Sequence, residues 1–527
     1  MSDSYADYVV VGAGSAGCAV ASRLSERGDR SVLLLEAGGW DTREEIHRVD
    51  LPSTTALWTA DWAPTIDWGY RTEPEAALAG RRIPVARGRV VGGCSSINAL
   101  MWVVGHPSDY DGWAADGCPG WSYEEVLPVL RRAEDYAGGD PRYRGTGGPI
   151  QVRRHDRLTG VSEAFVAATQ ELGYQPERDY NAGDQTGFGF HYQVTRDAAG
   201  RRSSAATGYL HPVLNRPNLT VQVGAQVTRM VVTGGRVSAV EYVRHGRPAR
   251  VEVGGEVVLS AGAFETPKLL MLSGIGPAGH LAGHGIRCLV DLPEVGRNLQ
   301  DHLFVPVCFQ SRREHPPAEL VSEAGLFVRT PAADRSGAPD LQFAFGSAKF
   351  LADGAPAGLW EGPGFTFAPV GLKPTSRGTV ELAGTDPAVP ATVRANYLST
   401  DHDRQVLVEG VRLARELANT AAFADFRGPE LGPGPEVTAA ADLRDFLARA
   451  ATTLWHPVGT CRMGGPDESV VDPRLRVHGV RGLRVADASV MPSIVAGNTN
   501  AATIMIGERA AEFIRQESVG YLQEVAR

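Results

Sequence analysis

The chain opens with an alternation of apolar runs and polar turns that predicts a βαβ unit. Residues 8–11 and 31–36 are short apolar runs of strand type, and residues 16–27 carry apolar side chains at helical spacing. A glycine-rich turn separates the first predicted strand from the helix. Because two consecutive strands joined through a helix run parallel in one sheet, the N-terminal region is predicted to be α/β.

Beyond this unit the pattern first becomes irregular and then regular again. Residues 50–116 are rich in Trp, Pro and Gly, which is typical of a segment that covers a ligand. Alternating apolar positions then predict four strands, followed by a helix, which together resemble a second βα junction. The predicted strands are 219–223, 227–232, 237–240 and 256–259, and the helix is 266–272.

The middle of the chain predicts a separate α+β domain. Between residues 325 and 397, short β-like segments such as 341–345 are separated by Gly and Pro, and a helix follows at 403–417. The C-terminal region returns to α/β character, with a strand at 483–486 and then a helix at 501–515. Since the two ends share one character and the middle has another, we predict two interleaved domains.

Length and composition exclude several classes of protein. A chain of 527 residues is long enough for two or more hydrophobic cores. Its basic residues are scattered among acidic ones, so nucleic-acid binding is not expected. No apolar run reaches the roughly 18 residues of a membrane span, and the N-terminus lacks a signal-peptide pattern, so we expect a cytoplasmic protein without a membrane span. The six cysteines form no C-x-x-C pair, so free thiols and no metal site are expected.

The turn after the first strand carries a dinucleotide-binding fingerprint. Gly12 allows a tight turn, Gly14 lets the backbone approach a pyrophosphate, and Gly17 lets the helix pack closely on the strand. Glu36 ends the second strand, where a carboxylate can accept hydrogen bonds from a ribose. This element predicts a dinucleotide, and both FAD and NAD remain possible from it alone.

A second glycine-rich stretch favours a flavin. In residues 87–98, Gly92 and Gly93 let the backbone pass close to a flat ligand, and Ser95 and Asn98 can hydrogen-bond to it. A nicotinamide-binding domain has no need of such a stretch, although a surface loop is the alternative interpretation.

Two C-terminal segments carry candidate catalytic residues. His456 lies in the segment W-H-P-V-G-T-C-R-M-G, and Asn500 closes the segment G-N-T-N at the start of the predicted last helix. A histidine can act as a general base at neutral pH. Asn500 has an alternative role as a helix N-cap, and that helix would point its positive end at a reduced flavin.

Taken in order along the chain, these motifs resemble the glucose-methanol-choline (GMC) family of FAD oxidoreductases. Further stretches of the likeness are R-S-S-A at 202–205, G-A-F-E-T-P at 262–267 and G-R-N-L-Q-D-H at 296–302. The resemblance implies an α/β FAD-binding Rossmann-type domain interleaved with an α+β substrate-binding domain. The FAD-binding domain is expected at 1–155, 205–310 and 455–527, and the substrate-binding domain at 156–204 and 311–454.

The resemblance also implies a reaction and residue roles. A primary alcohol would be oxidised to an aldehyde by hydride transfer to flavin N5, with His456 as general base and Asn500 as hydrogen-bond partner. Val227 would contact the adenine side of FAD and Asp487 its ribityl chain. Family members with covalently bound flavin carry a His where this chain has Ile97, so FAD is expected to be noncovalent.

The substrate and the electron acceptor stay open at this stage. Glu323 lies where choline-oxidising relatives place an acid, and a structural role in hydrogen bonding is its alternative. Choline, aromatic, furanic, aliphatic and sugar alcohols all remain candidates, with oxygen or another acceptor reoxidising the flavin. A lyase acting on hydroxynitriles without net redox change is the alternative activity. Besides Glu323, the candidate pocket residues are Trp58, Phe345, Phe350 and Trp455.

Overall fold

The computed structural model describes residues 4–333, 337–351 and 354–525, with side chains described up to residue 517. The helices are α1 Ser15–Leu24, α2 Glu44–His47, α3 Leu51–Thr59, α4 Pro107–Ala115, α5 Tyr123–Ala133, α6 Gly160–Glu171, α7 Gly262–Leu272, α8 Ala278–Gly283, α9 Asp401–Ala418, α10 Ala440–Ala450 and α11 Asn500–Val525.

The strands of the described residues are numbered in chain order. They are β1 Ser4–Val11, β2 Val32–Leu35, β3 Tyr70–Arg71, β4 Pro84–Val85, β5 Glu134–Asp135, β6 Ile150–Arg154, β7 Gly189–His191, β8 Gln193–Thr195, β9 Leu219–Gln222, β10 Ala225–Thr233, β11 Arg236–Arg244, β12 Arg247–Leu259, β13 Ile275–Gly276, β14 Val290–Asp291, β15 Leu303–Phe304, β16 Val307–Ser311, β17 Ala324–Val328, β18 Leu341–Gly346, β19 Gly364–Gly371, β20 Thr379–Glu381, β21 Thr392–Arg394, β22 Arg427–Gly432, β23 Thr452–Thr453 and β24 Leu483–Val485.

A seven-stranded sheet confirms the predicted Rossmann-type domain. Its order is β10-β11-β12-β1-β2-β9, and β24 pairs with the end of β12. Strand β1 is parallel to both β2 and β12, and β2 is parallel to β9. The central strands are buried on both faces, with Val9, Val10 and Leu34 fully enclosed, as expected of a parallel sheet covered by helices. Because β24 comes from the C-terminal region, the chain returns to its first sheet after forming the middle domain.

An eight-stranded antiparallel sheet forms the second domain. Its order is β22-β16-β19-β18-β17-β7, with β15 joining β19 to β23. Side chains alternate along β18, so Phe343 and Phe345 enter an apolar core with α6 and α9. Gln342 and Ala344 point to the opposite face, which lines a cleft between the two sheets.

One predicted domain limit needs correction. The prediction placed residues 205–310 in the FAD-binding domain, yet β15 and β16 hydrogen-bond within the eight-stranded sheet. The remaining limits stay a prediction. In the described part of the chain, no helix is both long and apolar enough to cross a membrane. Nor do three or more His, Cys, Asp or Glu side chains of these residues gather in a way that could hold a metal ion.

Candidate active site

A single cleft brings together most of the residues predicted from the sequence. It runs from the seven-stranded sheet to the eight-stranded one, and the empty space in it, together with the solvent at its mouth, amounts to about 1930 Å³. The predicted residues on its wall are Gly12, Gly14, Glu36, Trp58, Gly93, Asn98, Val227, Trp455, His456, Asp487 and Asn500.

The two glycine stretches form one end of the cleft and touch each other. Gly12 has φ +98°, and a Cβ there would lie 2.5 Å from the Ser260 carbonyl oxygen. A Cβ on Gly17 would lie 1.9 Å from the Gly12 carbonyl oxygen, which shows how closely α1 packs against the turn. A Cβ on Gly93 would lie 2.7 Å from Gly14 Cα. The backbone therefore forms a tight cradle in front of the α1 N-terminus, with no room for a side chain at these three glycines, and such close packing leaves the helix end bare for a pyrophosphate.

Glu36 closes the nucleotide end of the cradle. One carboxylate oxygen accepts a hydrogen bond from Ala13 N and the other from Gly38 N, each at 2.8 Å. Burial raises the pKa of Glu36. The Glu36 carbonyl oxygen accepts from Ala225 N, two residues before Val227. Glu36 and Val227 therefore lie at the same end of the cleft, which fits the predicted ribose and adenine contacts.

Asp487 joins two segments at the centre of the cleft. Its Oδ2 accepts from Gly262 N at 2.8 Å and from Thr266 Oγ1 at 2.6 Å, and its Oδ1 accepts from Ser489 N at 2.8 Å. This carboxylate thus satisfies the N-terminus of α7, whose first residue also lines the cleft. Three helix N-termini, those of α1, α7 and α11, face the same space, and their partial positive charges favour an anionic ligand.

Three predicted cofactor residues shape the wall without lining it. Gly17 packs α1 on its turn, and Gly92 N donates to Ala13 O at 2.7 Å. Ser95 Oγ donates to Gly92 O at 2.6 Å and accepts from Ala205 N at 2.9 Å. Its hydroxyl is used within the loop, so Ser95 is corrected from a cofactor contact to a support for the loop.

His456 is fixed in position by its backbone. Asp301 Oδ1 accepts from His456 N at 2.8 Å, while Asp301 Oδ2 accepts from the hydroxyls of Tyr397 and Thr453. The preceding residue, Trp455, has φ +61°, an unfavourable conformation for a large side chain. Its carbonyl oxygen accepts from the Arg87 guanidinium. Such a strained residue next to a candidate base is typical of functional sites.

A second histidine determines which nitrogen of His456 carries the proton. His302 Nε2 lies 3.0 Å from Leu372 O, and His302 Nδ1 lies 3.0 Å from His456 Nδ1. Because a carbonyl oxygen only accepts, His302 Nε2 carries a proton, and a neutral His302 then accepts through Nδ1. His456 must therefore donate from Nδ1, which leaves His456 Nε2 unprotonated.

Burial keeps both rings neutral. It lowers the pKa of His302 to about 3 and the pKa of His456 well below its usual range. The positive charge of Arg87 lowers the pKa of His456 further. At neutral pH the Nε2 lone pair of His456 is available as a proton acceptor.

Asn498, rather than Asn500, lies within hydrogen-bonding distance of His456. Asn498 Nδ2 lies 3.3 Å from His456 Nε2, so the amide can donate to that lone pair. Asn500 instead accepts from Ser15 Oγ at 2.7 Å and thereby joins the N-termini of α1 and α11. The two asparagines diverge because α11 begins at Asn500, whereas Asn498 lies in the irregular segment before it.

Two of the five predicted pocket residues line the cleft. Trp58 and Trp455 stack with ring centroids 5.6 Å apart, and Trp58 Nε1 donates to Ile97 O. Phe345 is fully buried on the other face of β18, stacked on Phe165 at 4.7 Å. Phe350 is 43% exposed on the surface. Both phenylalanines are therefore removed from the predicted pocket.

Glu323 is also removed from the pocket. Its side chain is fully buried, and one carboxylate oxygen accepts from Thr159 N, Thr159 Oγ1 and Ser162 Oγ at 2.7–3.1 Å. These bonds hold the N-terminus of α6, and the pKa of Glu323 falls to about 2 because the bonds outweigh burial. The structural alternative for this residue is thus the correct one.

Sequence reasoning missed three residues around the base. Asp301 and His302 belong to the G-R-N-L-Q-D-H stretch, and Asn498 stands two positions before the asparagine that was chosen. The segments were therefore visible in the sequence, but the contacts between them were not.

Comparison with known proteins identifies the family. The N-terminal GMC oxidoreductase domain matches residues 6–304 and the C-terminal GMC oxidoreductase domain matches residues 374–507. The chain belongs to the GMC oxidoreductase family. Like other members of this family, it is an FAD flavoprotein that oxidises CH–OH donors.

Relatives of this GMC oxidoreductase cover nearly its whole length. A protein of Rhizobium rhizogenes named oxygen-dependent choline dehydrogenase is 41% identical over 97% of this chain and 95% of its own. The crystal structure of pyridoxine 4-oxidase from Mesorbium loti is 36% identical, with a TM-score of 0.90 over 96% of this chain and 98% of its own. Formate oxidase from Aspergillus oryzae RIB40 is 28% identical, with a TM-score of 0.90 over 98% of this chain and 99% of its own. These names all describe oxidoreductases, and nothing supports the lyase alternative.

Proposed function

We propose that this GMC oxidoreductase oxidises a primary alcohol to an aldehyde with His456 as the general base. The observation that carries the proposal is the unprotonated Nε2 of His456, which lies in the cleft beside Asn498. The Nε2 atom accepts the hydroxyl proton of the alcohol as the carbon–hydrogen bond breaks. Asn498 replaces Asn500 as the hydrogen-bond donor to the developing alkoxide.

The residues at the other end of the cleft fit FAD. Gly12, Gly14 and the α1 N-terminus would hold its pyrophosphate, Glu36 its ribose, and Gly93 and Asn98 would lie along the flavin. Bound FAD supplies the hydride acceptor. The protein's own contribution is to bind the alcohol, to orient its hydroxyl and to remove its proton.

His302 acts as a positioning residue. Its hydrogen bond with His456 Nδ1 selects the tautomer in which Nε2 is unprotonated. Leu372 O in turn fixes the tautomer of His302. The base is therefore ready before the substrate arrives and needs no rearrangement of protons at the moment of reaction.

We propose noncovalent binding of FAD. Ile97 lines the cleft and has only a hydrocarbon side chain, so it offers no atom for a covalent bond to the flavin. Acid precipitation of the purified protein should leave the yellow colour in the supernatant. Colour retained in the protein pellet would contradict noncovalent binding.

Anaerobic mixing with alcohols tests the proposed reaction. A panel should include pyridoxine and choline, which relatives' names suggest, together with benzyl and aliphatic primary alcohols. We expect at least one alcohol to bleach the flavin absorbance and to yield the corresponding aldehyde. Parallel turnover with oxygen and with an artificial acceptor then identifies how the flavin is reoxidised. A flavin that stays oxidised with every alcohol would contradict the proposal.

A further inference from the structure

The wall of the cleft formed by the eight-stranded sheet is polar but uncharged. Gln342 and Ala344 come from β18, Ser322 precedes β17, and Tyr192 lies between β7 and β8. Tyr192, Ser322 and Gln342 are all buried, with 4% exposure or less. Burial raises the pKa of Tyr192, so its hydroxyl stays neutral.

A hydrogen-bond acceptor in this wall has no partner within the described residues. Gln342 Nε2 donates to Tyr192 Oη at 2.7 Å, and Tyr192 Oη lies 3.5 Å from the Phe343 carbonyl oxygen. In this arrangement the tyrosine hydroxyl both accepts and donates. Gln342 Oε1 is buried and unpaired. Gln342 lines the cleft, and an unpaired buried acceptor there favours a ligand that donates to it.

The carboxylates that line the cleft already have hydrogen-bond or ion-pair partners within the protein. Glu36 accepts from backbone amides, Asp487 satisfies the α7 N-terminus, and Glu265 pairs with Lys268 at 3.1 Å and accepts from Tyr70. None of them belongs to the eight-stranded sheet. The carboxylate predicted for cation recognition, Glu323, is enclosed behind that sheet. A cationic substrate would thus find no counter-ion on the described part of this wall.

A cation–π cage does not replace the missing carboxylate. Three indole rings line the cleft, and one of them, Trp68, already faces the Arg89 guanidinium at 5.1 Å. The other two, Trp58 and Trp455, stack on each other with an interplanar angle of 25°. Each ring therefore covers one face of the other, and the pair offers a flat surface rather than an enclosure. Such a surface suits a flat or apolar neutral group.

An anionic substrate is disfavoured for a similar reason. Arg87 lines the cleft, but its guanidinium donates to the Ala86 and Trp455 carbonyl oxygens. Burial raises the pKa of Asp301, and the charge of Arg87 offsets part of that rise. The guanidinium is used to fix the loop that carries His456.

We propose that the substrate is a neutral primary alcohol that carries a second O–H or N–H donor, which Gln342 Oε1 accepts. A quaternary ammonium alcohol has no N–H or O–H beyond its reacting hydroxyl and is a poor substrate. This inference rests on the proposed function, because it names the substrate class of the same cleft. It sets this chain apart from relatives named for choline.

Matched pairs of alcohols test the inference on the holoenzyme. The ortho, meta and para hydroxybenzyl alcohols are compared with the corresponding methoxybenzyl alcohols, in which a methyl group replaces the hydrogen of the second donor. We expect at least one hydroxybenzyl alcohol to exceed its methyl ether by about tenfold or more in kcat/KM. Choline serves as the cationic probe and hydroxymethylbenzoate as the anionic one. Their kcat/KM values should be lower than that of the preferred hydroxybenzyl alcohol by a larger factor.

The Gln342→Leu variant locates the preference. Loss of the acceptor should bring the kcat/KM values of each hydroxy and methoxy pair to within about threefold of each other. The control Gln310→Leu, at a glutamine elsewhere in the same sheet, should keep the wild-type ratio of kcat/KM. A choline kcat/KM equal to that of the best neutral alcohol would overturn the inference. So would equal rates for every hydroxy and methoxy pair in the wild-type enzyme, which does not depend on whether the variant folds.

Binding measurements separate this inference from the proposed reaction. Phenol and anisole should perturb the flavin spectrum with different affinities, phenol binding about tenfold more tightly. If alcohols fail to reduce the flavin but phenol is preferred, the reaction is wrong and the recognition is right. If alcohols reduce the flavin with no preference for a donor, only the recognition is wrong.

Discussion

The two walls of the cleft recognise ligands by different means. The wall from the seven-stranded sheet uses backbone, since backbone segments approach too closely at Gly12 and Gly93 for any side chain to fit. Its carboxylates already accept hydrogen bonds from the protein. The wall from the eight-stranded sheet uses side chains and keeps an unpaired acceptor at Gln342. The difference indicates that the first wall is suited to one fixed cofactor. Substitution of a few side chains in the second wall can change which substrate binds.

The largest expected effect comes from filling the cofactor wall. Gly12→Ala places a Cβ 2.5 Å from the Ser260 carbonyl oxygen and imposes φ +98° on a residue that disfavours it. We expect the purified variant to contain little or no FAD, measured as the ratio of flavin to protein absorbance. Gly39→Ala, where a Cβ meets nothing within 4 Å, serves as the control. Full FAD content in Gly12→Ala would show that this turn does not hold the cofactor.

Asn498 and Asn500 give the next largest contrast. Asn498→Ala removes the amide beside His456 Nε2 and should slow anaerobic flavin reduction by about 10²-fold, as loss of one donor to a developing oxyanion does. Asn500→Ala should slow it by less than about fivefold, because that amide contacts Ser15. Stopped-flow absorbance measures both rates. The reverse order would restore the assignment made from the sequence.

A smaller effect is expected at His302. His302→Leu removes the acceptor that holds the His456 Nδ1 proton, so flavin reduction should slow by about tenfold while FAD content is unchanged. His302→Gln can still accept from His456 and donate to Leu372 O, and it should recover most of the rate. Equal losses in the two variants would point to a packing role for His302 alone.

The pH dependence should be the mildest effect. Burial depresses the pKa of His456 well below its usual range, and the base must be unprotonated to act. The rate of flavin reduction should therefore be constant from about pH 6.5 upward and fall only as the pH drops through the lowered pKa. A rate that rises between pH 7 and 9 would show that another group, or a different protonation state, controls the reaction.

The sequence could predict those features that depend on residues close together in the chain. The βαβ unit, the glycine turn and His456 were predictable because each depends on residues adjacent in the chain. The choice between Asn498 and Asn500 was not, since it depends on where α11 begins. The hydrogen bond between Tyr192 and Gln342 joins residues 150 positions apart in the chain, and no local pattern marks it.

At Glu323 the sequence suggested a role in substrate recognition, whereas the structure shows a role in holding the fold. A carboxylate at a strand end was compatible with cation recognition, and only the three-dimensional structure shows Thr159 and Ser162 surrounding it. Buried carboxylates need such partners, so the structural interpretation follows once burial is known. Burial itself depends on packing against α6, which the sequence did not reveal.

The most direct test of the central claim is anaerobic stopped-flow reduction of the flavin in His456→Ala, using the best alcohol found for the wild-type enzyme. Removal of the general base should slow flavin reduction by at least about 10²-fold, while FAD content and the oxidised flavin spectrum stay as in the wild type. Reduction at a near-normal rate in this variant would contradict the assignment of His456 as the base.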